Sequence, residues 1–404
     1  MNKNTFCVLP FIHLEARADG FVAPCCMSQD FYAKDNGEMF HLSKDTLSDV
    51  WHSPSLKSLR ENLLSGVKDK KCVTCWSEEA IGKTSKRIRE NHRWGMELSE
   101  LSPTDLGKLD IKFLDLKLGN SCNLKCRICG PASSSAWIKE WEETTGEDLL
   151  TNLSLTVSSE GTKKVIRSWP DVNVDFWTDL EKHLPAVKLF EIYGGEPFLI
   201  KKHFDVLRKS VELGYSKKQR VHYNTNGTIY PGEIADEVWK HFERVDIMLS
   251  IDGTGKQFEY QRYPANWVDV EKNIFRFMQN FSTKDLHICL TVSSLNAFYL
   301  PDYLRYFHKL GLPVWLNVLY GPDHFSMKNL PQAAKDAILQ SWSTIKGESA
   351  ILVEPLDSLK DFLQLKSDPR QEELFIPSLK RHDAYRNEKY SDFFPEFAKI
   401  IGYN

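Results

Sequence analysis

The sequence lacks a long apolar run. Nowhere among its 404 residues does it approach the ~20 uninterrupted apolar residues that a membrane-spanning helix needs. It also lacks an excess of charge of either sign. With 52 Lys and Arg against 55 Asp and Glu, its formal net charge is -3, so no global basic field gathers nucleic acid or anionic lipid. A locally basic groove stays open. The opening MNKNTFCVLPF has neither the apolar stretch nor the small-residue cleavage site of a secretory signal, so the expected compartment is cytoplasmic. Internal repeats and low-complexity tracts are missing too. What remains, 42% hydrophobic and 26% charged residues, is an ordinary globular composition whose length suggests roughly two domains.

Nine cysteines need an explanation. In a reducing compartment, clustered cysteines signal metal or redox chemistry more often than a disulfide framework. They fall into groups: Cys7, Cys25 and Cys26; Cys72 and Cys75; Cys122, Cys126 and Cys129. Cys289 stands apart in the apolar run HICLTV, where it reads as a small buried hydrophobe on a strand.

From about residue 110, short β-branched or apolar runs alternate with amphipathic helical stretches. The runs are IKFLDLKLG, VKLFEIYGG, RVHYNTNG, RVDIMLSIDG, LHICLTVSS and PVWLNVLYG. Segments such as KKHFDVLRKSVELG, WVDVEKNIFRFMQNF and YLPDYLRYFHKLG carry apolar residues at three- and four-residue spacing. This is an α/β pattern of βαβ units with a parallel sheet. A partial (β/α)6 TIM-like barrel over 110–325 is the leading architecture, and an open doubly wound sheet the second. Either places a ligand at the carboxyl ends of the strands.

The polar stretch of about 140–184 reads as an insertion that caps the barrel mouth or forms an excursion. Residues 1–80 form a small N-terminal β-hairpin/helix domain. Its hairpin turns at Asp19-Gly20, and two helices follow, separated by Ser53-Pro54 and closed by Gly66. A helical connector covers 81–109. Its Lys83, Lys86, Arg87, Arg89 and Arg93 are read as a solvated face in preference to a polyanion site. Residues 326–404 form a C-terminal helical extension.

The strongest chemical signal is Cys122-Asn-Leu-Lys-Cys126-Arg-Ile-Cys129, directly after the first barrel strand. Soft thiolates suit iron–sulfur clusters, zinc or copper(I). Three ligands on a four-iron cluster leave one iron open, as a substrate-binding metal requires. Zinc with a fourth ligand elsewhere is the alternative, although zinc ribbons usually pair C-x2-C with a second C-x2-C.

C-x3-C-x2-C after the first strand of such a barrel resembles the radical S-adenosylmethionine superfamily. Further pieces match in order: Gly194-Gly195-Glu196-Pro197 after the second strand, Thr225-Asn226-Gly227 after the third, and Ser250-Ile251-Asp252-Gly253 after the fourth, with Arg262 beyond. The glycines allow close backbone approach, and a carboxylate accepts hydrogen bonds from an ammonium. The resemblance implies that Gly194, Gly195 and Glu196 hold the methionine amino group. It implies that Ser250 and Arg262 take the methionine carboxylate, and that the backbone of Ile128 meets the adenine. Thr225, Asn226 and Asp252 complete the implied cofactor site. The cofactors are then a [4Fe–4S] cluster on Cys122, Cys126 and Cys129 and S-adenosyl-L-methionine. Reductive cleavage would give a 5′-deoxyadenosyl radical that removes hydrogen from an unidentified substrate, a peptide or a small molecule. A flavodoxin- or ferredoxin-like reductant is implied as partner.

Cys7 and Cys25 across the hairpin, with Cys72-Val-Thr-Cys75 after the helices, give four thiolates for a closed site. This resembles the auxiliary-cluster domains of the same superfamily, in the single-cluster twitch form more than the two-cluster SPASM form. Cys7, Cys25, Cys72 and Cys75 are the implied ligands of an auxiliary [4Fe–4S] cluster, an electron relay or substrate anchor in an oxidation or modification. Cys26 is spare, with Cys26 in place of Cys25 as the alternative. Such domains commonly follow the barrel, whereas this one precedes it. Structural zinc suits four thiolates as well. Tyr320, Asp323 and His324, after the last strand, are weaker candidates for substrate contact. Two other readings are a zinc-stabilised, non-enzymatic binding scaffold and an iron–sulfur electron carrier.

Overall fold

The computed structural model describes residues 4–98, 109–147, 156–160, 163–282, 284–345, 348 and 350–403. The end of the expected connector and parts of the expected insertion lie outside them.

Every strand expected from the sequence is present. Strands β1 (His13–Ala16) and β2 (Val22–Ala23) form the hairpin, and Gly20 in the left-handed region makes its turn. The barrel strands are β3 (Phe113–Lys117), β6 (Leu189–Tyr193), β7 (Arg220–Thr225), β8 (Arg244–Ser250), β9 (Leu286–Val292) and β10 (Val314–Val318). Between β3 and β6, β4 (Thr156–Glu160) and β5 (Lys163–Arg167) pair as a separate antiparallel ribbon. The main sheet is mostly parallel and unclosed, in the order β10-β9-β8-β7-β6-β3-β1-β2. From β3 to β10 this order follows the chain without reversal. A doubly wound sheet reverses at a switch point, so the partial-barrel reading is the one that holds.

The chain divides into two compact units. One comprises 1–121, 150–223 and 236–245, the other 122–149, 224–235 and 246–404.

In the first unit β1 pairs in parallel with β3, Glu15 opposite Asp115, so the hairpin extends the sheet. Thr46 forms a capping box with Asp49, Ser53 caps the helix Pro54–Ser65, and Gly66 ends it in the left-handed region. These are the start and stop signals of the sequence acting as expected. The segment around Trp169–His183 is no loose excursion. Trp169, Phe176 and Trp177 are buried, Asn173 Nδ2 donates to the carbonyls of Leu42 and Asp45, and Ser48 donates twice to Asp179 at 2.7–2.8 Å. Aromatic residues scattered between polar ones concealed this packing.

In the second unit β8, β9 and β10 run parallel. Strand β9 alternates strictly between buried and half-buried residues, with Leu286, Ile288, Leu290 and Val292 buried. Cys289 sits on the other, half-buried face with His287 and Thr291, in register with Ser250. The expectation of a core cysteine is corrected accordingly: strand alternation turns it away from the apolar side. The long helices Gln332–Trp342, Ala350–Leu363 and Pro369–Arg386 make up most of the C-terminal extension. No helix among the described residues is long and apolar enough to cross a membrane.

Candidate cysteine centres

The loop carrying Cys122, Cys126 and Cys129 belongs to the second unit, and a distant piece of chain holds it in shape. Lys125 N–H donates to the carbonyl of Tyr263 at 2.6 Å, and Arg127 N–H to that of Gln261 at 2.9 Å. The indole of Trp137 donates to the carbonyl of Cys126, and the Ser134 hydroxyl to that of Leu124. Arg127 itself is buried. Its guanidinium donates to the Tyr260 carbonyl and pairs with Asp383 at 2.6 Å and Glu388 at 2.7 Å. In the helix Trp137–Thr145 that follows the loop, buried Glu140 meets Arg386 at 3.0 Å, His382 at 3.1 Å and Lys125 at 2.9 Å. Burial alone would raise the Glu140 carboxyl, but these partners pull it down to about 2. Sequence reasoning missed this clamp. Its one local signal is an arginine inside the cysteine motif, and its partners lie more than a hundred residues away.

Within the loop, Cys126 is buried and Cys129 half-buried. The two thiols share a hydrogen bond, which together with burial raises Cys126, while Cys129 is lowered as the acceptor. The cation beside both is Arg262, which favours their thiolate forms. Arg262 is itself clamped: Nε and a terminal nitrogen reach Asp252 Oδ2 at 2.9 and 2.8 Å, and Asp252 Oδ1 accepts from the Thr291 N–H at 2.8 Å. Two guanidinium nitrogens on one buried carboxylate oxygen, whose partner oxygen is itself tied to the main chain, restrict the guanidinium's orientation. Asn226, expected from sequence at the end of β7, comes within 3.9 Å of Cys122 Sγ and also donates to Asn123 at 3.0 Å. Thr225 is buried and accepts from Gly227 N–H. Ile128 is half-buried in the loop, and Ser250, half-buried, closes β8. Cys122, Cys126, Cys129, Asn226, Asp252 and Arg262 thus stand together.

In the first unit, Gly194 and Gly195 end β6 with positive φ angles of 90° and 55°. A Cβ on Gly195 would lie 2.2 Å from the Ser121 carbonyl oxygen, and one on Gly194 2.8 Å from Lys117 Cα. Only glycine permits that approach. Glu196 is fully buried; its N–H donates to Ser121 O, and Oε1 accepts from Phe198 N–H at 3.1 Å, which orients the carboxylate.

The amino-terminal cysteines also converge. Cys7 is raised by burial first and then by its neighbours Cys25, Cys72 and Cys75. Cys25 and Cys72 are each pushed up to about 12, burial again leading. Thiols that raise one another in this way are suited to a bound cation, which would let them ionise together, although among the described residues no three His, Cys, Asp or Glu side chains stand close enough to hold a metal ion as they are placed. Cys26 stands partly apart: its Sγ accepts from Lys86 Nζ at 3.1 Å and it does not figure among the neighbours acting on Cys7, but after burial it is the main influence raising Cys25. Tyr320, by contrast, is exposed against Phe362, and the Asp323 carbonyl is taken by Ser326 and Asn329 in a turn.

Residues 7–76 match SPASM, an iron–sulfur cluster-binding domain. The SPASM match takes in Cys7, Cys25, Cys72 and Cys75 and ends before β3. Similar solved structures include native anSMEcpe with bound AdoMet, at 18% identity over 64% of this chain and 63% of that one, TM-score 0.38. Another is Streptococcus suis SuiB bound to S-adenosylmethionine, at 12% identity over 94% of this chain and 78% of that one, TM-score 0.35. A third is SuiB bound to the precursor peptide SuiA, at 12% identity, 87% and 74% coverage and TM-score 0.34. The chain spans less than two thirds of the length of anSMEcpe. At this distance the likeness does not extend to activity or substrate. No curated protein matches the chain.

Proposed function

We propose that this chain is a radical S-adenosylmethionine enzyme, with a [4Fe–4S] cluster on Cys122, Cys126 and Cys129 and an auxiliary [4Fe–4S] cluster of the twitch type on Cys7, Cys25, Cys72 and Cys75. The observation that carries the reading is the three-cysteine loop after β3, with Cys126 buried and Cys129 half-buried beside the clamped Arg262. When bound, the reduced open cluster supplies the electron that cleaves S-adenosylmethionine to methionine and a 5′-deoxyadenosyl radical, and that radical takes hydrogen from the substrate.

The chain's own residues have separable tasks. Gly194 and Gly195 allow the backbone to come close to the methionine amino group, and Glu196 accepts its hydrogen bonds. Arg262, held rigid by Asp252, meets the methionine carboxylate together with Ser250. The Ile128 backbone takes the adenine, and Thr225 and Asn226 hold the edge of the site. In the amino-terminal segment four thiolates leave no position for an exchangeable ligand, which suits an electron relay or a substrate anchor. The substrate class is a peptide or small molecule that is oxidised or otherwise modified, and the reductant is a flavodoxin- or ferredoxin-like protein.

Anaerobic reconstitution with iron and sulfide tests this. The protein should turn brown, hold about eight irons per chain, and absorb broadly near about 400 nm. After reduction, adding S-adenosylmethionine should change the paramagnetic resonance of one cluster only. Colourless protein that takes up zinc alone would overturn the reading.

A further inference from the structure

Lys86 is engaged by Cys26, Arg87 by Glu79 and the Phe6 carbonyl, and Arg89 by the Thr84 carbonyl. Arg93, which stands 3.7 Å from Glu90 and 3.6 Å from Glu191, also lines a cavity of about 430 Å³ that lies wholly within the first unit. Trp94, Lys188, Lys217, Lys218 and Arg220 line it too. The volume falls in the range of small-molecule sites, about 300–1,000 Å³. Five cations face a single acidic lining residue, Glu243. Lys188, Lys217 and Lys218 have no carboxylate within ion-pair distance among the described residues.

The cations are held in place. Lys217 and Lys218 sit on the turn Ser216–Lys218, whose Ser216 is buried and whose Lys218 and Gln219 N–H groups bond back to Tyr215 and Ser216. Gln219 is anchored to the Leu184 carbonyl at 2.8 Å, and Glu243 N–H bonds to the carbonyls of Ser216 and Gln219. Lys188 and Arg220 are joined through the main chain, Arg220 N–H to Lys188 O at 2.8 Å. A second, independent feature is Trp94. It is 7% exposed and stacked on Phe113, yet its indole N–H finds no acceptor among the described residues. A buried donor without an acceptor costs free energy that a ligand oxygen would recover.

We propose that this cavity binds a small phosphate-bearing ligand, with Lys188, Lys217, Lys218 and Arg220 on the phosphate oxygens and Trp94 and Leu189 forming the wall against which they are presented. Leu189 and Arg220 begin β6 and β7, whereas Gly194-Gly195-Glu196 and Thr225-Asn226 end those strands. The cavity is therefore at the opposite end of β6 from Gly194-Gly195-Glu196, and its occupancy is a separate property from the proposed activity.

Calorimetric titration of the full reconstituted chain at low ionic strength provides the test, with inorganic pyrophosphate and ADP as probes. Saturable one-site binding of either, weakened by salt, is expected. Pyrophosphate alone would identify an inorganic ligand, and tighter binding of ADP an organic phosphate. The exposed pair Lys217→Glu/Lys218→Glu should weaken binding by about tenfold or more with an unchanged melting curve. Trp94→Phe, which keeps the ring and removes the donor, should weaken it severalfold. Absence of binding of both probes at about 1 mM, affinity unmoved by the charge reversal, or binding of single-stranded RNA with neither probe would overturn the proposal.

Discussion

The two cysteine groups solve the same electrostatic problem in different ways. The amino-terminal cysteines lie among one another, and burial together with repulsion from neighbouring thiols, Cys26 included at Cys25, pushes Cys7, Cys25 and Cys72 upward, with Cys25 and Cys72 reaching about 12. The loop three sit beside a fixed guanidinium, and Cys129 is already lowered. A set whose charge must be neutralised from within suits a closed site. A set with one missing thiolate and a cation at hand suits a site that must also receive an anionic ligand group. The difference lies in the surroundings of the thiols as much as in their number.

Replacing one ligand in each group should sharpen that contrast most. Cys72→Ser and Cys122→Ser should each lower bound iron by about four atoms per chain. Only Cys122→Ser should abolish the change in paramagnetic resonance on adding S-adenosylmethionine. Equal loss of that response in both would erase the distinction between the groups. Next, Asp252→Asn leaves the buried Arg262 without its counter-charge, and thermal unfolding should show a loss of about 3–5 kcal/mol. An unchanged melting temperature would show that the guanidinium is held by something else.

The clamp behind the loop gives a pH-dependent prediction. The folded Glu140 carboxyl lies at about 2, below its unfolded value of about 4.3, so its contribution is fully present above the unfolded value and disappears as pH falls toward 2. Glu140→Gln should therefore be less stable than the parent by about 2–3 kcal/mol at pH 7, and the gap should close between about pH 4.5 and 2. A constant gap in melting temperature over that range would remove the clamp from the account. The smallest effect is expected at Cys26→Ser, which should leave the iron count unchanged because that sulfur is exposed and accepts from Lys86. Loss of a cluster in this variant would exchange the roles of Cys25 and Cys26.

Much of this was legible from residue order. The six barrel strands announce themselves by apolar runs ending in glycine or small polar residues. Thr46, Ser53 and Gly66 mark helix ends because capping is local chemistry. The chemical motifs were visible for the same reason, since each sits at a strand end within a few residues. What escaped was pairing at a distance. Arg127 meets Asp383 and Glu388, Glu140 meets Arg386, and Asn173 meets the carbonyls of Leu42 and Asp45. None of these has a sequence period or spacing that foretells it. The parallel joining of β1 to β3 was hidden likewise, because a hairpin explains the same residues with local contacts alone.

The most direct measurement is 5′-deoxyadenosine formed from S-adenosylmethionine and dithionite under anaerobic conditions, by the reconstituted chain beside Cys126→Ala. The account predicts nucleoside from the parent chain and none from the variant, with the amino-terminal cluster still present in both. Equal product from the two, or none from a parent chain that carries both clusters and binds S-adenosylmethionine, would contradict it.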